Sequence, residues 1–261
     1  MAQVKPKKYL GQHFLRDLDI ARRIVESLPL SDTRSVLEIG PGTGVLTQFL
    51  LQQNDIDLKA IELDGESVVY LHQHFPSLQV IEGDFLKIRL NEIFPEKFCI
   101  IGNFPYNISS QIFFKMLDNR DVIPCLVGMI QKEVAERMAA KHGNKTYGIL
   151  SVLMQAFYSI DYLFTVHEHV FDPPPKVKSA VIRLTRNTTN NLGCDEKLFK
   201  QVVKTAFNQR RKTMRNSLKP MLDKSSPLYA DPVFDLRPEQ VDVQGFVKLT
   251  NMIEKALSEL Q

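Results

Sequence analysis

Features that mark several specialised classes of protein are scarce or missing in this sequence. There are only three cysteines, Cys99, Cys125 and Cys194, and none of them stands in a C-x-x-C pair. Their odd number and wide scatter argue against a disulfide framework and against a zinc site, so we expect no metal. No apolar run reaches the roughly 18 residues of a transmembrane helix, and no signal peptide is apparent. We therefore expect a protein of the reducing cytoplasm with no membrane association.

The chain also has little net charge. The formal charge is +3 over 261 residues, and 44% of the residues are hydrophobic. A charge this small indicates no particular partner, whereas the apolar content is enough for a sizeable core. The length suits one large domain or a main domain with a small annex.

Short apolar runs alternate with amphipathic segments over the first two thirds of the chain. Strands are predicted at residues 35–39, 58–61, 78–81, 98–101, 122–130 and 177–184, and helices at 17–28, 45–53, 65–75, 110–117 and 131–141. Residues 150–166 are rich in apolar and aromatic residues, and we interpret them as a strand, with a helix as the alternative. The alternation predicts an α/β fold with a parallel sheet covered by helices on both faces.

A polar stretch separates this part of the chain from the C-terminal part. Residues 186–193 are rich in polar and turn residues, as is typical of a linker. From Asp195 onward the pattern is helical with no clear strand. We therefore predict two domains, an α/β domain at residues 1–186 and a small all-helical domain at 187–261.

A glycine-rich turn follows the first predicted strand of the sheet. Residues 38–44 read EIGPGTG, so that Gly40 and Gly42 allow a tight turn and a close approach to a ligand. The spacing is neither the G-x-G-x-x-G of a dinucleotide site nor a Walker loop, since no Gly-Lys-Ser/Thr follows. Taken alone, the motif is weak evidence, since a simple strand-to-helix turn is the alternative.

Polar residues also follow the other strands of the predicted sheet. Glu62 lies about 20 residues past the glycines, where an acidic residue accepts hydrogen bonds from ribose hydroxyls. Asp84 and Asn103 end the next two strands, and Asp84 could accept a hydrogen bond from an adenine amino group. Because ligands of open α/β sheets bind at the carboxyl ends of strands, these residues together favour a nucleoside-containing cofactor.

The motif Asn103, Phe104, Pro105 and Tyr106 resembles the (D/N)-P-P-(Y/F) motif of methyltransferases that act on amino nitrogens. The N6 lone pair of adenine is delocalised into the ring and is a poor nucleophile. The Asn103 side-chain oxygen and the Phe104 carbonyl can accept from the two N6 hydrogens and direct the nitrogen towards a methyl donor. Tyr106 offers a flat face on which an extruded base can stack.

Six segments together resemble the rRNA adenine N6,N6-dimethyltransferase family, and in particular its bacterial small-subunit branch. They are residues 11–15 (GQHFL), 38–44 (EIGPGTG), 103–109 (NFPYNIS), 131–133 (QKE), 171–181 (FDPPPKVKSAV) and 207–218 (FNQRRKTMRNSL). The resemblance implies a Rossmann-like S-adenosylmethionine-dependent methyltransferase, with a catalytic domain at residues 1–186 and an RNA-recognition domain at 187–261. It also implies a substrate, two adjacent adenosines near the 3′ end of 16S rRNA in a small-subunit precursor, and we expect a monomer.

The resemblance further implies a set of cofactor-binding positions. These are His13, Leu15, Gly40, Gly42, Glu62, Asp84 and Asn103. The family often has Asn where this chain has His13, although an imidazole can also donate or accept a hydrogen bond. Phe104 replaces a commoner Leu at a position where only the backbone carbonyl is needed.

A basic segment near the C-terminus is the predicted contact with RNA. Residues 197–219 contain eight Lys or Arg and no acidic residue, interleaved with Asn, Gln, Ser and Thr. Such a composition suits a phosphate backbone, although a solvated helix face is the simpler alternative for a run of charge. The predicted RNA-binding residues are Arg210, Arg211, Lys212 and Arg215.

Three other functions are compatible with parts of the sequence. A macrolide-resistance enzyme that acts on large-subunit rRNA would share the catalytic half. A non-catalytic RNA-binding protein or transcription factor on the same fold is disfavoured by the intact set of Gly40, Glu62, Asp84 and residues 103–106. A nucleotide-dependent oxidoreductase is disfavoured by the glycine spacing.

Overall fold

The computed structural model describes residues 4–259 and divides the chain into two compact units. The sheet unit consists of the residues up to 135 together with 159–186, and the helical unit consists of 136–158 and the residues from 187 onward. In the part of the chain that the structure describes, no helix is both long enough and apolar enough to span a membrane.

The chain forms nine strands and nine α-helices within the described residues. The strands are β1 (Phe14–Leu15), β2 (Ser35–Ile39), β3 (Asp57–Glu62), β4 (Gln79–Glu82), β5 (Cys99–Asn103), β6 (Cys125–Gln131), β7 (Tyr158–Val166), β8 (Phe171–Asp172) and β9 (Ser179–Arg186). The helices are α1 (Leu18–Glu26), α2 (Thr47–Leu50), α3 (Gly65–His74), α4 (Ser109–Asp118), α5 (Lys132–Ala139), α6 (Ile149–Gln155), α7 (Glu196–Asn208), α8 (Met214–Ser217) and α9 (Val243–Ser258). Short 3-10 turns connect several of them.

Seven of the strands form one sheet, in the order β4-β3-β2-β5-β6-β9-β7. The first five strands of that order are parallel, and β9 runs antiparallel to β6. The prediction of an α/β fold with a largely parallel sheet is confirmed. Between β2 and β5 the strand order changes direction, since the chain first builds outward to β4 and then returns to the other side of β2.

Local sequence explains why the central elements form where they do. Val36, Leu37 and Ile39 of β2 are all buried, as expected for a strand that is covered on both faces. At α1, the Asp17 side chain accepts from the Ile20 amide and caps the helix N-terminus, while Ile24 packs into the core. Both elements lie where the hydrophobic pattern predicts them.

The predicted strand over residues 150–166 is only half right. Its first part is the helix α6, and only the second part, β7, is a strand. Five consecutive residues of α6, from Leu150 to Met154, are buried. A helix that is buried all round has no polar face, so its sequence shows no helical periodicity and cannot be distinguished from a buried strand.

The structure also contains a disulfide, whereas the number and scatter of the cysteines argue against a disulfide framework. Cys99 on β5 and Cys125 on β6 form a disulfide, with their Cα atoms 5.0 Å apart. The two residues are 26 positions apart in sequence, and the register of β5 with β6 places them side by side. Spacing alone could not show this, because the pairing depends on which strands are neighbours.

A pair of glycines makes room for the Phe104 side chain. Gly102 on β5 and Gly128 on β6 lie opposite each other in the strand register. A Cβ atom at Gly102 would lie 2.7 Å from the Phe104 ring, and one at Gly128 would lie 2.4 Å from it. The ring is 1% exposed, so it fills the space that the two missing side chains leave.

The helical unit contains the C-terminal helices that the sequence predicts from Asp195 onward. The Asp195 side chain accepts from the Leu198 amide and caps α7. Phe199 and Val203 on α7 and Phe246 on α9 are buried in its core. This compact unit also includes residues 136–158, which were predicted to belong to the α/β domain. The domain boundary at residue 187 stays a prediction.

Replacing Gly128 with Ala should test the packing of Phe104. We expect Gly128→Ala to lower the free energy of unfolding by about 1–3 kcal/mol, because the new methyl group overlaps the ring. The loss should shrink by about 1 kcal/mol or more in a Phe104→Leu background. Denaturant unfolding of the four proteins measures this coupling. Gly65→Ala, where a Cβ meets only the Glu82 carboxylate at 3.5 Å, is the control; additive losses would contradict the packing.

Candidate active site

An open cleft lies at the carboxyl ends of β2 to β5, next to the point where the strand order changes direction. In open α/β sheets this is where ligands bind. The residues that line the cleft include nine of those predicted for the site. They are His13, Gly40, Gly42, Glu62, Asp84, Asn103, Phe104, Pro105 and Tyr106. The structure therefore brings together residues that lie up to 93 positions apart in the sequence.

The glycine-rich turn forms the floor of the cleft beyond β2. Gly40, Gly42 and Gly44 have φ values of 64°, 57° and 79°, a region that favours glycine. A Cβ at Gly42 would lie 2.8 Å from the Phe14 ring, whereas one at Gly40 would meet no atom within 4 Å. At Gly40 the bare backbone therefore borders open space, as a close approach by a ligand requires.

Glu62 is held in place by three backbone amides. One carboxylate oxygen accepts from the Gly42 amide at 3.0 Å, and the other accepts from Leu63 and Asp64 at 2.8 and 2.9 Å. Burial raises the pKa of Glu62, and these three hydrogen bonds oppose that shift. The carboxylate thus ties the end of β3 to the glycine turn and keeps a fixed orientation at the wall of the cleft.

Asp84 stands at the end of β4, in a tight turn. Its Oδ1 atom accepts from the Leu86 amide at 2.9 Å, and the amides of Lys87 and Ile88 donate to its backbone carbonyl. A Cβ at the preceding Gly83 would meet no atom within 4 Å. Asp84 therefore presents a carboxylate beside a second stretch of bare backbone.

The orientation of the Asn103 amide is fixed by the main chain. Its Nδ2 atom donates to the backbone carbonyl of His13 at 2.9 Å. A carbonyl can only accept, so the nitrogen must face His13 and Oδ1 is the atom left to accept from a ligand. The neighbouring Phe104 side chain is buried, so only its backbone is available to the cleft.

Tyr106 is fixed at its hydroxyl end. The hydroxyl and the Ser179 Oγ atom form a hydrogen bond at 2.5 Å, and burial raises the pKa of Tyr106. Its ring stacks with the His13 ring, at a centroid distance of 5.4 Å. The His13 Nδ1 atom lies 2.7 Å from the Pro173 carbonyl and therefore donates to it.

An N-terminal segment that motif reasoning largely missed forms one wall of the cleft. Tyr9, Leu10 and Gln12 line it together with His13. Lys7 pairs with the buried Asp64, to which the Gln12 amide also donates at 3.5 Å. Burial alone would raise the pKa of Asp64, but hydrogen bonds from Lys7, Ser67 and Gln12 lower it. No local pattern predicts the pairing of Lys7 and Asp64, because the partners are 57 positions apart.

This N-terminal segment is also anchored at its other end. β1 pairs antiparallel with β8, with Phe14 opposite Asp172 and Leu15 opposite Phe171. Leu15, one of the predicted cofactor-binding residues, is buried at 3% exposure and lines a small neighbouring cavity with Gly40 and Asn103. Its predicted role in cofactor binding remains a prediction.

The four predicted RNA-binding residues of the helical unit fall into two groups. Arg210 donates to the Tyr147 carbonyl at 3.0 Å, and Arg215 pairs with Asp235 at 2.8 Å. Arg211 and Lys212 are exposed. Arg210 and Arg215 thus make contacts within the helical unit, whereas Arg211 and Lys212 lie on its surface.

One buried carboxyl group near the glycine turn is not among the predicted site residues. Glu38 is 1% exposed, and the Thr47 hydroxyl donates to it at 2.6 Å. Burial, together with the neighbouring Glu62, raises the pKa of Glu38 to about 8, while Thr47 opposes the shift. Glu38 is therefore largely protonated at neutral pH. Among residues 4–259, no three potential metal-ligating side chains come together.

Comparison with known proteins identifies close relatives. The model of the family described as ribosomal RNA adenine dimethylase matches residues 3–231. Two proteins named ribosomal RNA small subunit methyltransferase A, from Phocaeicola vulgatus and Parabacteroides distasonis, are 63% and 64% identical to this chain. Both alignments cover 98% of this chain, with 92% of the first relative and 97% of the second.

Two solved structures are similar over most of the chain. A dimethyladenosine transferase from Plasmodium falciparum has a TM-score of 0.78 at 28% identity, over 93% of this chain and 98% of its own. The 23S rRNA methyltransferase ErmE has a TM-score of 0.68 at 25% identity, over 92% and 99%. The prediction of a Rossmann-like methyltransferase fold is confirmed by these structures.

The protonated state of Glu38 should appear in the pH dependence of stability. Since its pKa rises from 4.5 to about 8 on folding, the unfolded chain ionises first as the pH increases. Glu38 therefore destabilises the native state progressively between these two pH values. We expect the free energy of unfolding of Glu38→Gln, relative to the unmodified protein, to increase by a few kcal/mol over that interval. Urea unfolding across the pH range measures it.

Glu26→Gln provides the matched control, because Glu26 is exposed at the end of α1. It should leave the pH dependence unchanged. A constant difference between Glu38→Gln and the unmodified protein at all pH values would show that Glu38 is ionised in the native state.

Proposed function

Because the chain belongs to the ribosomal RNA adenine dimethylase family, whose members are S-adenosylmethionine-dependent methyltransferases, we propose that it dimethylates N6 of two adjacent adenosines near the 3′ end of 16S rRNA. The substrate is then the RNA within a precursor of the small ribosomal subunit. The single observation that carries the chemistry is the hydrogen bond from the Asn103 amide to the His13 carbonyl, which leaves Oδ1 as the atom that can accept from a ligand.

The comparisons favour the small-subunit RNA over the large-subunit RNA. Relatives that are named for the small subunit are 58% to 64% identical to this chain over nearly its whole length. ErmE, which is named for 23S rRNA, is 25% identical. The macrolide-resistance type of activity is therefore the weaker alternative.

The cleft has the features that S-adenosylmethionine requires. Gly40 and Gly83 expose bare backbone on two sides of it, and a carboxylate stands near each glycine. We assign Glu62 to the ribose hydroxyls and Asp84 to the adenine amino group, and His13, Gly42 and Asn103 to the same pocket. When bound, the cofactor would supply an electrophilic methyl group on a sulfonium sulfur, which departs as a neutral thioether when the sulfur–methyl bond breaks.

Asn103 and Phe104 orient the target nitrogen. The Asn103 Oδ1 atom and the Phe104 carbonyl accept from the two N6 hydrogens, which directs the nitrogen towards the donor methyl and shifts electron density onto it. Each transfer releases one N6 proton to water, and after the first transfer either acceptor can hold the single remaining hydrogen. A second transfer to the same nitrogen is therefore chemically reasonable, and no metal or covalent nucleophile is required.

Tyr106 and the helical unit supply contacts with the RNA. The Tyr106 ring, fixed through Ser179, offers a face on which the extruded adenine can stack. In the helical unit, we propose that the exposed Arg211 and Lys212 contact phosphates, whereas Arg210 and Arg215 shape the surface that carries them. We further propose that the protein acts as a monomer in the cytoplasm.

The product of the reaction tests the proposed function. Undermethylated small subunits incubated with the protein and S-adenosylmethionine should yield N6-methyladenosine, which rises and then falls as N6,N6-dimethyladenosine accumulates. Digestion to nucleosides and mass spectrometry measure both products, and mapping of the modified positions identifies the two adenosines. A reaction that stops at the monomethyl product, or that modifies only large-subunit RNA, would overturn the proposal.

Asn103→Ala is the matched variant in this assay. It should lower turnover at saturating substrate on the order of a hundredfold, by analogy with the loss of a positioned polar group in other enzymes. Affinity for RNA should change little. Near-normal turnover would mean that Asn103 does not hold the target nitrogen.

Removing the two exposed cations should weaken RNA binding. The double variant Arg211→Ala/Lys212→Ala should bind RNA less tightly, and its dependence of log K on log salt should be flatter by up to about two units. Affinity for the cofactor should persist. Lys248→Ala/Lys255→Ala, which removes two exposed cations of α9, is the control. An equal effect of both double variants would indicate only a general contribution of charge.

A further inference from the structure

Lys115, in the middle of α4, contacts the loop that carries Asp84. Its ammonium group donates to the Phe85 carbonyl at 2.6 Å and also to the Ile88 carbonyl. It lies 5.1 Å from the centre of the Phe85 ring, as in a cation–π contact. One side chain thus bridges both ends of the turn at residues 85–88 from a helix about 30 positions further along the chain.

The contacts of the Lys115 ammonium group converge on residues 85 and 88 of this loop. Phe85 is 4% exposed, so its ring anchors the turn in the protein interior while Asp84 remains at the cleft. The Lys115 ammonium is half-buried. Burial lowers the pKa of Lys115, and the nearby Asp84 carboxylate opposes the shift. A lysine in such a place loses hydration, which its two carbonyl acceptors replace.

The position of Lys115 in the sequence adds a second link. α4 begins at Ser109, directly after the residues that contain Asn103 and Tyr106. The Lys115 side chain therefore connects the loop after β4 to the helix that follows residues 103–106. A change in the position of α4 would be transmitted to Asp84.

We propose that Lys115 is a positioning residue for the cofactor, which holds the loop of residues 84–88 so that the Asp84 carboxylate meets the amino group of the cofactor adenine. The inference rests on the proposed role of Asp84. Lys115 is not among the residues that line the cleft. Its effect is therefore expected in the recognition of the purine and not in the transfer of the methyl group.

A pair of cofactor products distinguishes recognition of the amino group from general damage. S-adenosylhomocysteine carries the purine amino group, whereas S-inosylhomocysteine has a carbonyl in its place. Calorimetry on the full chain should show that the unmodified protein prefers the adenosine form by about tenfold or more, since the carboxylate accepts from an amino group but repels a carbonyl. The ratio of the two dissociation constants is the readout.

Lys115→Met should lower this preference by at least about threefold, while the KM for RNA stays within about twofold. Lys115→Arg, which can still donate to both carbonyls, should restore part of it. Lys87→Met is the matched control, because Lys87 also carries a positive charge near Asp84, at 3.6 Å, but its side chain is 84% exposed. It should leave the preference unchanged. If Lys115→Met does not fold, Lys115→Gln retains an uncharged amide donor group and should give an intermediate preference.

The variant Asp84→Asn separates the proposed role of Asp84 from the proposed role of Lys115. A preference that is lost in Asp84→Asn but unchanged in the folded Lys115 variants would overturn the role of Lys115 and leave that of Asp84 intact. No preference in the unmodified protein, or a preference that survives in Asp84→Asn, would overturn the proposed role of Asp84 and the inference with it. Equal losses of this preference in Lys87→Met and Lys115→Met would show that the effect comes from positive charge near Asp84, which would overturn the positioning role of Lys115.

Discussion

The reversal of strand order between β2 and β5 is the constraint on which the site depends. The connections that follow β2 and β5 run to opposite sides of the sheet. No single connecting segment therefore covers the carboxyl ends of both strands, and a crevice remains there. The turns that follow β2, β3, β4 and β5 all open into it. Each contributes one type of polar group, and none of them needs to be close to another in sequence. The chemistry is thus distributed over four turns, while the sheet alone determines the distances among them.

Periodicity and motif spacing predict the parts of the structure that depend on local sequence. Asp17 and Asp195 cap helices where an acidic residue precedes an apolar pattern, and the buried run of β2 ends at the glycine turn. Other features depend on neighbours in space. A helix that is buried on all sides, α6, has no polar face to reveal it. The bond between Cys99 and Cys125 requires knowledge of which strands pair, and the anchor between Lys7 and Asp64 links two segments that no motif connects.

Main-chain groups perform much of the orientation in this cleft. The Glu62 carboxylate is held by three amides, Asp84 by the amide of Leu86, and the Asn103 amide by a carbonyl. The positions of such groups vary less than those of side chains, because they are set by the turns themselves. A site of this kind is organised before its ligand arrives, which is the condition for electrostatic stabilisation without reorganisation. The residues predicted at the ends of β2 to β5 do line the cleft, whereas their roles in binding remain predictions.

The bond between the Asn103 side chain and the His13 carbonyl has a consequence for sequence variation. Every amino acid has the same backbone carbonyl, so the orientation of the Asn103 amide does not depend on the side chain at position 13. A different side chain there would change the contacts with Tyr106 and Pro173 but not this hydrogen bond. Because the imidazole stacks with Tyr106, a substitution at position 13 changes the surroundings of Tyr106 without removing the acceptor at Asn103. If Tyr106 stacks on the target base as proposed, position 13 can alter the binding of that base while the hydrogen-bond acceptor stays the same.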